Sequence, residues 1–396
     1  MTVESLLFSL LRSAVFDEPV SDKIKTACTP EMLAEVYRMA KMHDVAHLVG
    51  KALDGLGLPD SEPLTKCRNK MLQAVYRYYR QDFEYQQVCA TLAAADIPYI
   101  PLKGTVLRPY YPEPWMRTSC DTDILIHKED LERAQKLLEE NLHFAERRVS
   151  AHDVSLISPS NELLELHFAI IEDFVLPKAR EILEHIWEYA VPVEGRPSEY
   201  ALPDDLFYYY HMVHMAKHVA NGGCSIRFFL DTWMLNHKIP HDKAARDAFL
   251  EKGYRLTFAK AAEELSEIWF SGVKENTLSR YFADYILRGG DFGNLSNRTA
   301  LRRAKEGGKF KFLMTRVILP YDLIKYYFPI LQEKKWLTPW YQIVRWWNLL
   351  TKGNLNHSVS EVKAITQFDN DDSIHAKALY YEGLQGCPVR VCVEQL

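Results

Sequence analysis

Residues 102–126 read LKGTVLRPYYPEPWMRTSCDTDILI and contain the pattern that decides the fold. A Lys-Gly pair and a turn-rich segment precede two aspartates that open an apolar strand. Because side chains alternate along a strand, Asp121 and Asp123 share one face, and Ile124 and Ile126 share the other. Two neighbouring carboxylates repel each other unless a cation neutralises them, and their hard oxygens suit Mg²⁺ or Mn²⁺. The stretch therefore predicts a metal-dependent site.

The composition is that of an ordinary globular protein. The chain has 396 residues, of which 47% are hydrophobic and 26% charged, with a net charge of −5. Without a strong positive charge, tight non-specific binding to nucleic acid is not expected. The seven cysteines are scattered and form no CxxC pair, which favours a reducing compartment. No apolar run is long enough to cross a bilayer, so we expect a soluble, cytoplasmic protein.

Three regions follow one another along the chain. Residues 1–94 have helical periodicity, residues 95–172 alternate between short strands and helices, and residues 173–396 are predominantly helical again. This order predicts an α+β protein, in which a small mixed-sheet core is flanked by N-terminal and C-terminal helical regions.

Local signals predict the elements around the aspartate pair. Thr29 followed by Pro30 marks the start of a helix, which the apolar spacing continues to about Leu53. A second long helix covers roughly residues 64–95. The strands of the core are expected at residues 97–102, 121–127, 154–157 and 163–170, with a hairpin turn at 159–161 and a helix at 128–143.

A third carboxylate in the core extends the candidate metal site. In the strand LLELHF, Glu165 and His167 share one face, and the alternate residues are apolar. Three acids on adjacent strands, Asp121, Asp123 and Glu165, could hold divalent ions that neutralise a polyphosphate. A solvent-facing glutamate on an edge strand is the simpler alternative for Glu165.

The turn after the first core strand is a candidate phosphate-binding element. Gly104 permits close approach to the backbone, and Lys103 and Thr105 add a charge and a hydroxyl. The spacing is not that of a P-loop. Arg117, four residues before Asp121, is a further candidate phosphate contact, although an exposed loop arginine is an equally simple reading.

Taken together, LKG, YYPEPWMR, DTDILI and ELHF resemble the bacterial family of uncharacterised nucleotidyltransferases, within the DNA polymerase β-like superfamily. The resemblance covers most of the chain. It implies that a glycine turn holds a triphosphate, that a DxD pair binds Mg²⁺ and that a third acid completes the site. These roles fall on Gly104, on Asp121 and Asp123, and on Glu165. The chain departs from the usual glycine-serine or glycine-glycine turn, because Thr105 follows the glycine.

A histidine-rich helix offers a competing site. His211, His214 and His218 are spaced three and four residues apart and share one helical face, which could bind zinc together with Asp231. No HExxH signature accompanies them. The alternative is that His214, Arg227 and Asp231 form the wall opposite the carboxylates, with His211 as a hydrogen-bonded core residue. His167, on the face of Glu165, is a further candidate to face the substrate.

Three further segments carry weaker signals. Residues 302–316 are locally basic, and residues 368–373 read FDNDDS, for which a solvated loop is a better interpretation than a calcium loop. The aromatic and basic residues of 326–350 are compatible with a membrane surface, but helix packing is the simpler reading.

These observations predict a nucleotidyltransferase that moves a nucleoside monophosphate from an NTP to a hydroxyl or phosphate of an unidentified acceptor, either a small molecule or a protein. Pyrophosphate would leave, and the cofactor would be Mg²⁺ or Mn²⁺. Two alternatives remain open: a non-catalytic nucleotide-binding or protein-interaction module, and a zinc-dependent hydrolase that uses the histidine helix.

Overall fold

The computed structural model describes residues 1–150, 152–170, 177–240, 242–253, 255–306, 318–319, 321, 324–325, 328 and 330–351. The described chain forms two compact units. The first consists of residues 1–215 and 225–283, and the second of residues 216–224 together with the described residues from Asp284 onward. The predicted boundaries at residues 94 and 172 stay a prediction.

Helices form the N-terminal part of the first unit. They are α1 (Val3–Phe16), α2 (Asp22–Ala27), α3 (Pro30–Met42), α4 (Ala46–Leu53) and α5 (Glu62–Ala94). Thr29 is the N-cap of α3, as predicted, since its side chain accepts a hydrogen bond from the Met32 amide. The prediction of one continuous helix to Leu53 is wrong, because Asp44 has a φ of +53° and interrupts the helix between α3 and α4.

Five strands of the described chain form one mixed sheet. They are β1 (Tyr99–Pro101), β2 (Asp121–Ile126), β3 (Ala145–Val149), β4 (Asp153–Ile157) and β5 (Leu163–His167). Their spatial order is β1-β2-β5-β4-β3. Only β2 and β5 run parallel to each other; the other neighbouring pairs are antiparallel. The α+β architecture with a small mixed sheet is thereby confirmed.

One face of this sheet is covered by α5 and by α7 (Leu131–Leu142). Ile124 and Ile126 of β2 point to this side and are fully buried. They pack with other apolar residues of the strands and the two helices, including Leu92 and Leu138. Burial of this face fixes the strand register, because a slip by one residue would exchange the two faces. The opposite face is then left to the polar residues of β2 and β5.

The segment between β1 and β2 is short and tightly turned. It contains α6 (Gly104–Leu107) and two 3-10 turns, Arg108–Tyr110 and Pro114–Met116. Pro109 and Pro114 lie at the start of these turns, where a proline's missing N–H is tolerated. A third 3-10 turn, Lys128–Asp130, leads into α7.

The remaining elements of the first unit follow the sheet. They are α8 (Pro177–Leu183), α9 (Ile186–Tyr189), the hairpin of β6 (Val191–Pro192) and β7 (Tyr200–Ala201), α10 (Asp204–Ala220), α11 (Ile226–Lys238), α12 (Lys243–Lys252), α13 (Leu256–Ser271) and α14 (Thr277–Gly289). Both α10 and α14 continue into the second unit. The residue Tyr99 of β1 bridges to Glu199, so the hairpin continues the sheet beyond its edge strand.

The second unit contains α15 (Leu295–Glu306), α16 (Ile330–Glu333), a 3-10 turn at Lys335–Leu337 and α17 (Thr338–Thr351). Gly223 is required by close packing, since a Cβ there would lie 2.3 Å from the Cα of Gly293. Residues 309–316 and the FDNDDS segment lie outside the described residues. Among those described, every helix is too short or too polar to cross a bilayer.

Candidate active site

The register of β2 and β5 creates the polar face of the sheet. Asp123 pairs with Glu165, and Leu125 pairs with His167, in a parallel arrangement. Asp121, Asp123, Glu165 and His167 therefore lie on one face, opposite the apolar residues that pack on α5 and α7. The predicted separation of the aspartates from Ile124 and Ile126 is confirmed.

Asp123 is the centre of this polar face. Asp123 is 1% exposed. Its Oδ1 lies 2.5 Å from Nζ of Lys103 and 2.8 Å from Nε2 of His167. Burial raises the pKa of Asp123, but Lys103 and the hydrogen bond from His167 outweigh it and hold the pKa well below its usual range. Asp123 is therefore ionised at neutral pH.

Three side chains converge as potential metal ligands. One ligand atom from each of Asp123, Glu165 and His167 lies within 4.8 Å of the others, and Nε2 of His167 is 3.5 Å from Oε2 of Glu165. Carboxylates and an imidazole are ligands of divalent cations. The chain thus has a cluster that could hold such an ion.

Asp121 lies beside this cluster. Its Oδ1 accepts a hydrogen bond of 3.0 Å from Oγ of Ser119. Burial, and then repulsion by Asp123, raise the pKa of Asp121 above its usual range. The predicted trio of Asp121, Asp123 and Glu165 is thus on one face, but the convergent group has His167 in place of Asp121.

Lys103 reaches Asp123 from an unusual backbone conformation. Its φ of +49° and ψ of −120° belong to a region that glycine occupies more readily than lysine. Such strain costs roughly 1–3 kcal/mol and is found most often at functional sites. The strained turn orients the ammonium group towards the polar face.

Gly104 is packed beneath two side chains of the β1–β2 segment. A Cβ at this position would lie 3.3 Å from Nη1 of Arg117 and 3.4 Å from Cβ of Ser119. The absence of a side chain therefore lets Arg117 and Ser119 approach the turn. Thr105, the next residue, lines a cleft between α6 and α5.

Arg117 forms a buried ion pair with Asp231 of α11. Nε of Arg117 lies 2.8 Å and 2.9 Å from the two carboxylate oxygens, and the Tyr111 hydroxyl donates a hydrogen bond of 2.7 Å to Oδ1. Asp231 is fully buried and Arg117 is 4% exposed. The sequence predicted Arg117 as a phosphate contact and Asp231 as a substrate-facing group. The structure instead joins them to each other in an ion pair.

Arg227 also holds the β1–β2 segment. Its Nη1 donates to the backbone oxygen of Thr118 and lies 3.5 Å from Oδ2 of Asp44. The Thr118 hydroxyl donates a hydrogen bond of 2.8 Å to the same Asp44 oxygen. The segment that leads into the aspartate pair is therefore fixed from both α11 and the α3–α4 junction.

Tyr210 of α10 is a site residue that the sequence interpretation missed. It is 5% exposed, and burial raises its pKa, with further contributions from Asp123, Asp121 and Glu165 that Lys103 opposes. Tyr210 therefore lies within electrostatic range of the polar face. The signal available in the sequence was its spacing of four residues from His214, whose ring stacks on Tyr210 with centroids 6.2 Å apart.

A second convergent group lies next to the first and shares His167. It consists of His152, Asp153 and His167, again within 4.8 Å. Burial raises the pKa of Asp153, but the hydrogen bond with His152 outweighs it and lowers the pKa to about 2. Nδ1 of His167 is buried without a hydrogen-bond partner in the described part of the chain.

The histidines of α10 form no comparable group in the described residues. His211 is buried, and its Nε2 lies 3.1 Å from Oγ1 of Thr232 and 3.3 Å from the backbone oxygen of Phe228. Burial lowers the pKa of His211 to about 4, against the opposing effect of Asp231. The buried, hydrogen-bonded core role expected for His211 is what the structure shows.

Comparison with known proteins identifies the family. The model of a family described as "Uncharacterised nucleotidyltransferase" matches residues 30–268, which is more than half of the chain. The chain belongs to this nucleotidyltransferase family. The matched region includes α3 to α5, the whole sheet and α11, so it contains every residue of the polar face. No curated protein and no solved structure matches the chain.

Proposed function

We propose that the protein transfers a nucleoside monophosphate from an NTP to a hydroxyl or phosphate of an acceptor, and that it does so at the polar face of the sheet. The observation that carries this proposal is the convergence of Asp123, Glu165 and His167 beside Asp121 and Lys103. Membership of the nucleotidyltransferase family supports the reaction class.

The donor set fits a divalent cation. Asp123, Glu165 and His167 would hold it, and Asp121 lies on the same face of the sheet, outside this convergent group. The two carboxylates suit Mg²⁺ and Mn²⁺, and the imidazole adds a nitrogen ligand of the kind that transition-metal ions accept. When bound, the cation supplies charge neutralisation for the triphosphate.

The chain's own residues position the reactants. The Lys103 ammonium lies at the carboxylates and supplies a positive charge for the phosphates, next to the Gly104 turn. Tyr210, which lies within electrostatic range of the same carboxylates, stacks with His214. The ion pair of Arg117 with Asp231 holds the β1–β2 segment in place.

The reaction is a displacement at the α-phosphorus. An acceptor oxygen forms a new bond to this phosphorus, and the bond from the phosphorus to the bridging oxygen of pyrophosphate breaks. A proton of the acceptor hydroxyl passes to a carboxylate of the polar face, and the electron pair of the broken bond leaves with pyrophosphate. Positioning and charge neutralisation supply most of the rate.

One observation favours a second candidate function. The Lys103 ammonium, 2.5 Å from Asp123, neutralises this carboxylate in the way a cation would. A nucleotide-binding module without catalytic activity could use such an arrangement to hold a triphosphate. It would bind NTP without forming a nucleotidylated product.

A thermal-shift screen tests the proposed site. Each of the four NTPs is added to the full chain with Mg²⁺, with Mn²⁺ or with EDTA. We expect at least one NTP to raise the melting temperature only with a divalent cation, because ligand binding to the folded state stabilises it. Asp123→Asn should abolish the shift, and Asp54→Asn, at an exposed carboxylate, should keep it. An NTP shift that persists in EDTA or in Asp123→Asn would contradict the assignment.

A further inference from the structure

A cleft of about 360 Å³ lies between one face of α5, the α6 turn and the β6–β7 hairpin. Its volume is in the range of small-molecule sites. Tyr78, Asp82, Tyr85 and Gln86 of α5 line it at spacings of four, three and one residues, so they form one helical face. Arg108, from the segment after α6, also lines the cleft. This cleft is separate from the convergent carboxylates of the polar face, and the proposed function does not use it.

Arg108 presents an unsatisfied positive charge to the cleft. It is 7% exposed, and in the described chain it forms no ion pair with a carboxylate. Its Nη2 and Nε donate to the Gln81 side chain at 2.7 Å and to the Arg117 backbone oxygen at 3.2 Å, and its guanidinium carbon lies 5.6 Å from the centroid of the Tyr78 ring. No hydrogen bond of Nη1 is present among the described residues. Burial and the charge of Arg117 lower its pKa to about 10. A buried cation without a counter-ion is costly, and an anionic ligand group would relieve that cost.

Asp82 presents the opposite charge to the same cleft. It is partly buried, and no ion pair or hydrogen bond to its carboxylate is present in the described structure. Asp82 and Arg108 influence each other electrostatically, yet they are too far apart to form an ion pair. The two charges therefore line the same cleft without pairing with each other, together with Tyr78 and Tyr85 of α5.

We propose that this cleft binds a small zwitterion of the amino-acid type. Arg108 would receive its carboxylate, Asp82 its ammonium group, and the tyrosine rings an apolar or aromatic side chain. A simple anion would leave Asp82 unpaired, and a simple cation would leave Arg108 unpaired. Only a ligand with both charges pairs both residues.

Hydrogen bonds connect the cleft to the polar face of the sheet. Arg108 donates to Gln81, and Gln81 donates a hydrogen bond of 3.2 Å to the backbone oxygen of Ser119. The Ser119 hydroxyl in turn donates to Asp121. Arg108 begins this series of hydrogen bonds, so its replacement would disturb the fold as well as ligand binding. Asp82 is therefore the better position for a test.

The test is calorimetric titration of the full chain with the twenty free L-amino acids, without NTP or divalent cation. These conditions make the outcome independent of the proposed nucleotidyl transfer. We expect at least one amino acid to bind. Its amide, which lacks the carboxylate, and its α-hydroxy acid, which lacks the ammonium group, should each bind at least ten-fold more weakly.

Variants locate the binding in the cleft. Asp82→Asn should weaken binding of the amino acid at least ten-fold, and Asp54→Asn, which changes the same charge at an exposed position, should leave it unchanged. Gln86→Trp, on the exposed surface of α5, should block the cleft and abolish binding without unfolding the protein. Failure of all twenty amino acids to bind, equal binding of the α-hydroxy acid, or full binding by Asp82→Asn would each overturn the proposal.

Discussion

Replacing Asp231 by asparagine removes a carboxylate that is fully buried and paired with Arg117. Asparagine has nearly the same shape and can still accept the hydrogen bond from Tyr111, so the change isolates the charge. The Arg117 guanidinium, 4% exposed, then has no counter-ion at Nε. Breaking a buried pair in this way costs about 3–5 kcal/mol. That is a large part of the roughly 5–15 kcal/mol that stabilises a folded domain.

The assay is urea unfolding followed by circular dichroism, with the free energy of unfolding obtained by linear extrapolation. Glu35→Gln is the control, because it removes an exposed ion pair with Arg38 and should cost less than about 0.5 kcal/mol. Adding Arg117→Met to Asp231→Asn removes the unpaired charge, so the double variant should be more stable than the single one. A loss below about 1 kcal/mol in Asp231→Asn would show that this ion pair does not hold the β1–β2 segment.

Two further predictions concern pH and the strained lysine. Because the pKa of His211 is lowered to about 4 in the folded state and is about 6.5 in the unfolded chain, the unfolded state binds more protons between these values. The free energy of unfolding should therefore fall as the pH falls from 6.5 to 4, by at most about 3 kcal/mol for this group. In His211→Gln the free energy of unfolding should depend less steeply on pH over this range. An unchanged pH dependence would refute this assignment. Lys103→Gln should reduce nucleotidyl transfer by about 10²–10³-fold, because it removes a positioned charge at the phosphates. Lys51→Gln, at an exposed position, should have no effect. Retention of full activity by Lys103→Gln would exclude Lys103 from the site.

The sheet could be predicted largely from local patterns. Alternation of apolar and polar residues identified β2 and β5, and the Pro-Ser-Asn turn correctly joined β4 to β5 as a hairpin. The strand β3, Ala145–Val149, was missed because all its residues are exposed, three of them are charged, and it lies at the edge of the sheet. Such a strand owes its conformation to pairing with β4, which a local pattern does not reveal.

The site could be predicted only in part. The alternation of side chains along one strand can be read from the local sequence, but contacts between distant segments cannot. The aspartate pair and Glu165 were found by alternation. The pairing of Arg117 with Asp231 joins residues 114 positions apart, and no spacing rule connects them. Tyr210 is influenced electrostatically by the carboxylates of the polar face, and its four-residue spacing from His214 carries no information about those distant strands.

The most direct test of the central claim is the fate of the α-phosphate. The full chain is incubated with a divalent cation and with NTP labelled either at the α- or at the γ-phosphorus. Heat-treated cell extract, whose own kinases, polymerases and pyrophosphatases are inactive, is the source of acceptor. Nucleotidyl transfer predicts that α-label enters a product while γ-label appears only in pyrophosphate, and that Asp123→Asn forms no labelled product. Transfer of γ-label to a product, or α-labelled product from Asp123→Asn at the wild-type rate, would contradict the account.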